Sequence, residues 1–328
     1  MVGAFRSTGD STIAIAVGRV PTYTVAAAAL LVAVALAAAG IAERPDALSD
    51  WQAFALGIVQ GLTELLPISS SGHLIIVPWL ADWEFLHENE AFNDAFDVAL
   101  HLGTALAVVV FFASDLGRLT HAWLTTLAER RIETADQRLA WFIVIATLPA
   151  LVVGGLFGGA IGSHLGEPWQ IAVFLAVFGI VLLLADRLPA NRAFADLDIR
   201  IAGAVGLVQC LALMPGVSRS GITISAGRAL GLERPAAARF SFLLLVPVSV
   251  AAVAYTAVND LILGELPPGW VGPFLVGTIA AFGSGLIAIR LLLGVVQRHS
   301  LTGFVIYRLI AALVILLLIA SGARDAIF

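Results

Sequence analysis

The chain has 328 residues, 60% of them hydrophobic and only 12% charged, with a net charge of −5. A soluble domain carries roughly 25% charged residues, so this composition and a mean hydropathy of +0.98 describe an integral membrane protein. Every basic residue is arginine and the net charge is negative, so nucleic acid is not a partner that the composition points to.

In chain order, Arg6 and Arg19 precede an apolar run, Val25–Ala42, that Glu43, Arg44 and Pro45 close. The run is long for a signal peptide, so it reads as a retained signal-anchor helix in an N-terminal extension, residues 1–49. Six further apolar segments read as spans: Phe96–Ala113, Leu139–Ile161, Trp169–Ala185, Phe240–Val258, Val271–Leu293 and Gly303–Ser321. Period-2 alternation is absent, which excludes a β-barrel reading. Arginines cluster in the loops at Arg118–Arg138, Arg187–Arg200 and Arg290–Arg298, whereas Gly162–Pro168 and Asn259–Trp270 have none. The positive-inside rule puts the arginine loops in the cytoplasm.

Two stretches, 50–80 and 201–239, are apolar but broken by Pro, Gly and Ser. For the alternation to close, each must enter and leave on one face, the first outside and the second inside. Shifted by 149 positions (Gln60 onto Gln209), they match at Gly57/Gly206, Val59/Val208, Leu62/Leu211, Ser69/Ser218, Ser71/Ser220 and Gly72/Gly221. Three spans follow each. The expected fold is an all-α polytopic membrane protein of two inverted repeats, 50–185 and 186–328. Each repeat is a re-entrant helical hairpin plus three transmembrane helices, with an extra N-terminal helix in front. Such repeats place a binding site where the broken helices meet, and non-helical backbone at that depth lines protein or a cavity.

The first hairpin contains QGLTELLPISSSGH (Gln60–His73) and the second PGVSRSGITIS (Pro215–Ser225). Gln60 and Glu64 share a helix face, and Pro67 ends that half-helix at Leu66. Ser69, Ser70, Ser71 and Gly72 then turn into a second half-helix beginning near His73. Pro215–Gly216 breaks the other hairpin, and Ser218, Arg219, Ser220 and Gly221 make its turn, with Thr223 just beyond. Hydroxyls and free N–H groups at helix N-termini hold anions, and Arg219 adds a fork suited to phosphate. A charge at the bilayer centre costs about 2.5–3.5 kcal/mol on insertion scales, so Glu64 and Arg219 must be paired or solvated. A structural Glu–Arg staple between the repeats is the plainer alternative, but it gives no task to His73 or to the serines.

These two motifs resemble the signatures of the undecaprenyl-diphosphate phosphatase family of bacterial inner membranes, associated with bacitracin resistance. The resemblance runs from about Asp50 to the last span and leaves the N-terminal extension unexplained. It implies hydrolysis of undecaprenyl diphosphate to the monophosphate and inorganic phosphate, which recycles the lipid carrier of wall synthesis. It points to Gln60, Glu64, Ser69, Ser70 and His73 in the first motif and to Ser218, Arg219 and Thr223 in the second, with Ser71 and Ser220 beside them. The family's acidic motif opens with Glu or Gln; here it is Gln60, which weakens any scheme with two carboxylates on one metal.

The residues themselves support a compatible chemistry. Arg219 and the half-helix N-termini would hold a diphosphate, and Mg²⁺ or another divalent cation on Glu64 would add charge. Three attackers compete: Ser70 with His73 as its base, which leads; His73 itself; and water. Asp97 and His101 share a face at the outer end of a span, where an interfacial hydrogen-bonded pair is the simpler reading and a role beside the site the other. His87, His121, His164 and His299 read as surface residues, and Trp79, Trp83, Trp169 and Trp270 as an aromatic belt. A transporter or flippase for a phosphate-bearing lipid or small anion is the rival function, because broken helices in inverted repeats suit transport too. The outward entry of the first hairpin predicts a site facing outward, and the oligomeric state is left open.

Overall fold

The computed structural model describes residues 47–256 and 270–327. The Val25–Ala42 run, the end of the Phe240–Val258 span and most of the connection after it lie outside the described residues. Every named element among the described residues is helical. The helices are α1 (Asp50–Leu65), α2 (Ser70–Ala81), α3 (Glu84–Glu88), α4 (Glu90–Phe111), α5 (Ala113–Glu129), α6 (Ala135–His164), α7 (Pro168–Arg187), α8 (Ile199–Gln209), α9 (Arg219–Ala229), α10 (Arg234–Thr256), α11 (Val271–Arg298) and α12 (Thr302–Ala320). Short 3₁₀ turns occur at Phe194–Asp196 and Cys210–Leu213.

Six helices (α4, α6, α7, α10, α11 and α12) are long and apolar enough to cross a membrane, and each covers one of the six segments read from hydropathy, apart from at most two residues at the segment's C-terminal end. The protein is an all-helical, multi-pass membrane protein. Local chemistry sets several starts. Ser49 and Gln52 form a capping box at α1, with Gln52 N–H on Ser49 Oγ at 3.2 Å and Ser49 N–H on Gln52 Oε1 at 2.9 Å. Thr134 and Gln137 repeat it at α6, so two orphan N–H donors are satisfied at each start.

The broken stretches are helix pairs. Pro67 holds Leu66 extended and stops α1 at Leu65. Helix α2 begins at Ser70, not near His73, because Ser69 caps it through a 3.4 Å bond from Gly72 N–H. In the second stretch, α8 passes into the 3₁₀ turn and α9 begins at Arg219 under a Ser218 cap. Helix α10 starts at Arg234, so that pair ends before Arg239, the limit read from the sequence.

Packing between the pairs and the spans is reciprocal. Helix α1 lies mainly against α11, and α8 against α6. Glycine makes both approaches possible: a Cβ on Gly57 would sit 2.3 Å from Gly277 O, and one on Gly206 would sit 2.6 Å from Ala146 Cα. Small residues bring backbones this close where lipid supplies no hydrophobic drive between helices. Away from the site, Asp186 at the end of α7 accepts from Arg234 Nε at 2.5 Å and from Leu301 N–H at 2.9 Å. That carboxylate ties α7, α10 and the start of α12 together. Two tryptophans depart from the belt reading: Trp79 and Trp83 are buried, and Trp79 Nε1–H donates to Asp325 O at 3.1 Å. Trp169 stays exposed.

Candidate active site

The two serine loops meet. Ser69 Oγ accepts from Gly216 N–H at 3.1 Å, and Ser220 Oγ–H donates to Leu66 O at 2.9 Å, so each loop holds the other's backbone. Both caps carry positive φ, 75° at Ser69 and 77° at Ser218, which serine rarely adopts. Strain of this kind, of order 1–3 kcal/mol, persists only where surroundings over-determine it. Here the supporting bonds reach Ser218 Oγ from Gly221 N–H at 3.1 Å, beside Ser220 Oγ at 3.2 Å. Gly216, at φ 98°, passes so close to α7 that a Cβ would lie 2.9 Å from Ile171 O.

Arg308 on α12 fixes both loops from behind. It is fully buried and donates to Pro67 O of the first loop at 3.2 Å and to Gly216 O and Val217 O of the second at 2.9 and 3.1 Å. Its remaining bonds go to Phe174 O and Leu175 O of α7, at 3.2 and 3.0 Å. A guanidinium with five N–H donors thus serves three loop carbonyls, which the breaks leave outside any helix, and two carbonyls within α7.

Glu64 stands at the front of this junction. Its Oε1 accepts from Arg219 Nη2 at 2.9 Å. Its Oε2 accepts a short hydrogen bond from Ser70 Oγ–H, faces His101 Nε2 at 3.4 Å, and has Gln60 Nε2 at 3.5 Å. The Glu64 and Arg219 side chains are 6% and 11% exposed, so this is a pair held at membrane depth, where neither charge could stand alone. Arg219 Nη1 donates to Ser241 O at 2.7 Å. Thr223 lies behind it, its Oγ1 at 2.7 Å from Arg219 O and 2.8 Å from Ser241 Oγ.

His73 points elsewhere. Its Nδ1–H donates to Ser69 O at 2.6 Å, and Nε2 accepts from the Tyr307 hydroxyl at 2.5 Å, with the two rings stacked. Because the carbonyl can only accept, the proton sits on Nδ1. The Ser70 hydroxyl is therefore bonded to Glu64 across the helix break, not to His73 three residues on. The carboxylate, and not the imidazole, is the group that the Ser70 hydroxyl touches. Ser71 is half-buried in the first turn of α2.

The structure thus brings Gln60, Glu64, Ser70 and Arg219 into one cluster, with Thr223 behind Arg219. It assigns Ser69, Ser218 and Ser220 to loop geometry. Four further residues come from elements that the motifs do not include. His101 reaches Glu64 from α4, with its Nδ1–H on Asp97 O at 2.7 Å; it is a neighbour of the carboxylate, and its bond within α4 goes to the Asp97 backbone. Ser241, Tyr307 and Arg308 are the others. Arg308 did carry a signal: it is a lone charge inside an apolar span, which marks function or a special partner.

A divalent cation has a restricted place here. Among the described residues no group of three or more His, Cys, Asp or Glu could hold a metal ion. Glu64 lies beside Gln60, whose Oε1 is buried without a hydrogen-bond partner. One carboxylate and one amide oxygen fit Mg²⁺, which takes one or two carboxylates and completes its shell with substrate phosphates and water.

The comparisons with known proteins agree along most of the chain. The family profile described as bacitracin resistance protein BacA matches residues 53–314. The undecaprenyl-diphosphatase of Geobacter metallireducens is 44% identical over 266 residues, covering 80% of this chain and 96% of that protein. That of Thermomicrobium roseum is 44% identical over 283 residues, 84% of this chain and 99% of its own length. That of Mycobacterium marinum is 41% identical over 282 residues, 85% and 98%. With the profile matched across both serine loops, five spans and most of the sixth, the chain belongs to the BacA family of bacitracin resistance proteins.

Proposed function

We infer that the protein is an undecaprenyl-diphosphatase, which hydrolyses undecaprenyl diphosphate to undecaprenyl phosphate and inorganic phosphate. The observation that carries this reading is the Ser70–Glu64–Arg219 cluster at the meeting of two helix N-termini, in a chain whose relatives carry that name. The substrate's diphosphate would take Arg219 from Glu64, because a fork of N–H donors suits phosphoryl oxygens as well as a carboxylate. N–H groups in the first turns of α2 and α9, which no intrahelical carbonyl reaches, add positive potential at the same point. Ser70 Oγ attacks the terminal phosphorus while Glu64 Oε2 takes its proton. The bond to the bridging oxygen breaks, and undecaprenyl phosphate leaves. Water then attacks the phosphoserine, phosphate departs, and the Glu64 proton returns to Ser70 Oγ. His73, held by Ser69 O and Tyr307, keeps the first turn of α2 in register. Glu64 and Gln60 would hold a divalent cation together with substrate phosphates, and its charge would offset that of the diphosphate.

Phosphate release from undecaprenyl diphosphate by the purified protein tests the activity. Ser70→Ala should lower turnover at least about 100-fold, whereas Ser69→Ala should mainly cost about 1 kcal/mol of stability, as a lost cap does. Equal, mild losses in both would hand the attack to His73 or water. An acid-stable phosphoenzyme trapped during turnover indicates phosphoserine; an acid-labile one indicates phosphohistidine and overturns the assignment.

The same inference places the protein in the bacterial cytoplasmic membrane with its site open to the outside, and takes 50–185 and 186–328 as inverted repeats. Support for the repeats comes from the matched caps at Ser69 and Ser218 and from the reciprocal packing of α1 and α8. Support for the side comes from the arginine-rich loops on the opposite face. In a Cys210→Ala background, Ser71→Cys should react in intact cells with a membrane-impermeant thiol reagent. Reaction only after the inner face is opened would sink the outward assignment.

A further inference from the structure

On the face that carries the arginine loops, a cavity of about 360 Å³ opens between the start of α5, the start of α6, the 3₁₀ turn Phe194–Asp196 and α10. Arg118, Arg138 and Arg239 line it, against a single lining carboxylate, Asp136. Leu139 and Phe142, the first apolar residues of the α6 span, form another part of the lining, so the cavity sits at the border between water and lipid. None of these residues belongs to the cluster around Glu64.

The arginines are not equivalent. Arg118 is paired with both Asp115 and Asp136. Arg239 donates to Asp115 Oδ2 at 2.7 Å and stacks over Phe194 at 4.7 Å. Partial burial pushes the Asp115 carboxyl up, but hydrogen bonds from Arg239 and Arg118 outweigh it and hold the group below the usual carboxylate range. Asp115 therefore stays ionised and keeps both guanidiniums in place. Two donor sets remain unused. Arg239 Nε is buried with no hydrogen-bond partner, a state that asks for an explanation in a folded protein. Arg138 is exposed and, among the described residues, its side chain bonds to the Glu133 carbonyl at 3.3 Å and is in no ion pair.

We propose that this cavity binds the phosphodiester headgroup of an anionic glycerophospholipid, with Arg138 as its principal charge contact and Leu139 and Phe142 against the glycerol and upper acyl chain. The volume suits a headgroup and is too small for a folded partner. The excess of guanidinium over carboxylate favours a net negative headgroup over a choline-bearing one, and basic pockets at the ends of membrane helices recognise lipids in this way. A lipid there would brace α5, α6 and α10 together, and Arg239 is only two residues, about 3 Å of helix rise, from the Ser241 that holds Arg219.

The test uses the full-length protein in detergent and follows its melting temperature with added phosphatidylglycerol, phosphatidylcholine or inorganic phosphate, since a ligand that binds only the folded state raises it. Phosphatidylglycerol should raise it, and the other two should not. Arg138→Glu should increase the phosphatidylglycerol needed for half the effect at least tenfold. Arg131→Glu, a charge reversal on the same face outside the cavity, should leave the response unchanged. Equal effects of the two lipids, an undiminished response in Arg138→Glu, or equal losses in both variants would overturn the proposal. A matching rise with inorganic phosphate alone would show a free-anion site and overturn the lipid as occupant.

Discussion

Glu64→Gln should lower phosphate release by about 10³-fold, within the range that a positioned general base contributes, while the purified protein remains folded. Glutamine has nearly the same shape and can still meet Arg219 with its amide oxygen, while its NH₂ takes the place of Oε2 and donates to the Ser70 hydroxyl. What it cannot do is take a proton at Oε2 or offset the charge of Arg219. Arg219 keeps its 2.7 Å bond to Ser241 O, so the second loop retains its anchor. Glu64→Asp should fall between the two, because the carboxylate survives but withdraws from Ser70 by one methylene. Initial rates and melting curves on the three proteins decide the matter. Turnover within tenfold of the parent in Glu64→Gln would falsify the role of Glu64 as the base.

The second large effect is on folding. Arg308→Met keeps much of the buried volume but removes the donors to Pro67, Phe174, Leu175, Gly216 and Val217 carbonyls. Each buried carbonyl left without its donor costs about 1–3 kcal/mol, so losing several at once removes a large part of the margin of a typical protein. Little monodisperse protein should be recovered, and what is recovered should melt well below the parent. Arg308→Lys should not rescue it, since three donors on one ammonium cannot reach five carbonyls in a plane. A methionine variant that melts within a degree or two of the parent would show that the loops hold their shape without Arg308.

Glu64 could be placed at the site from the sequence, whereas Arg308, though marked as a lone charge in a span, could not be given its partners, and the reason is where polar signals lie. The spans were legible because long apolar runs have few alternatives in a chain of this composition. The breaks were legible because Pro67 and Pro215–Gly216 remove helical geometry locally. Glu64 and Arg219 stood out as charges beside those breaks. The Ser70–His73 spacing pointed to a neighbouring base, but a three-residue spacing fixes only a shared face. The ring of His73 went to Ser69 O and Tyr307 instead, and Ser70 met Glu64 across the break. Tyr307, Ser241 and His101 come from distant spans, and their partners are set by helix packing that no local pattern encodes.

The packing of α1 against α11 has a consequence in time. Gly57 meets Gly277, and about 220 residues of chain separate them. At typical synthesis rates of about 5–20 residues per second, roughly 10–45 s pass between the appearance of one and of the other. During that interval α1, with Glu64 near its end, has no partner for its glycine face, and the loop after it lacks Gly216 for most of the time and Arg308 throughout. The junction of the two serine loops is therefore completed only when the last span emerges. A ribosome that stalls, or a protease that cuts, before the final two spans emerge leaves a fragment without the arginine that joins the loops, and so without a competent site to act on carrier lipid in the membrane.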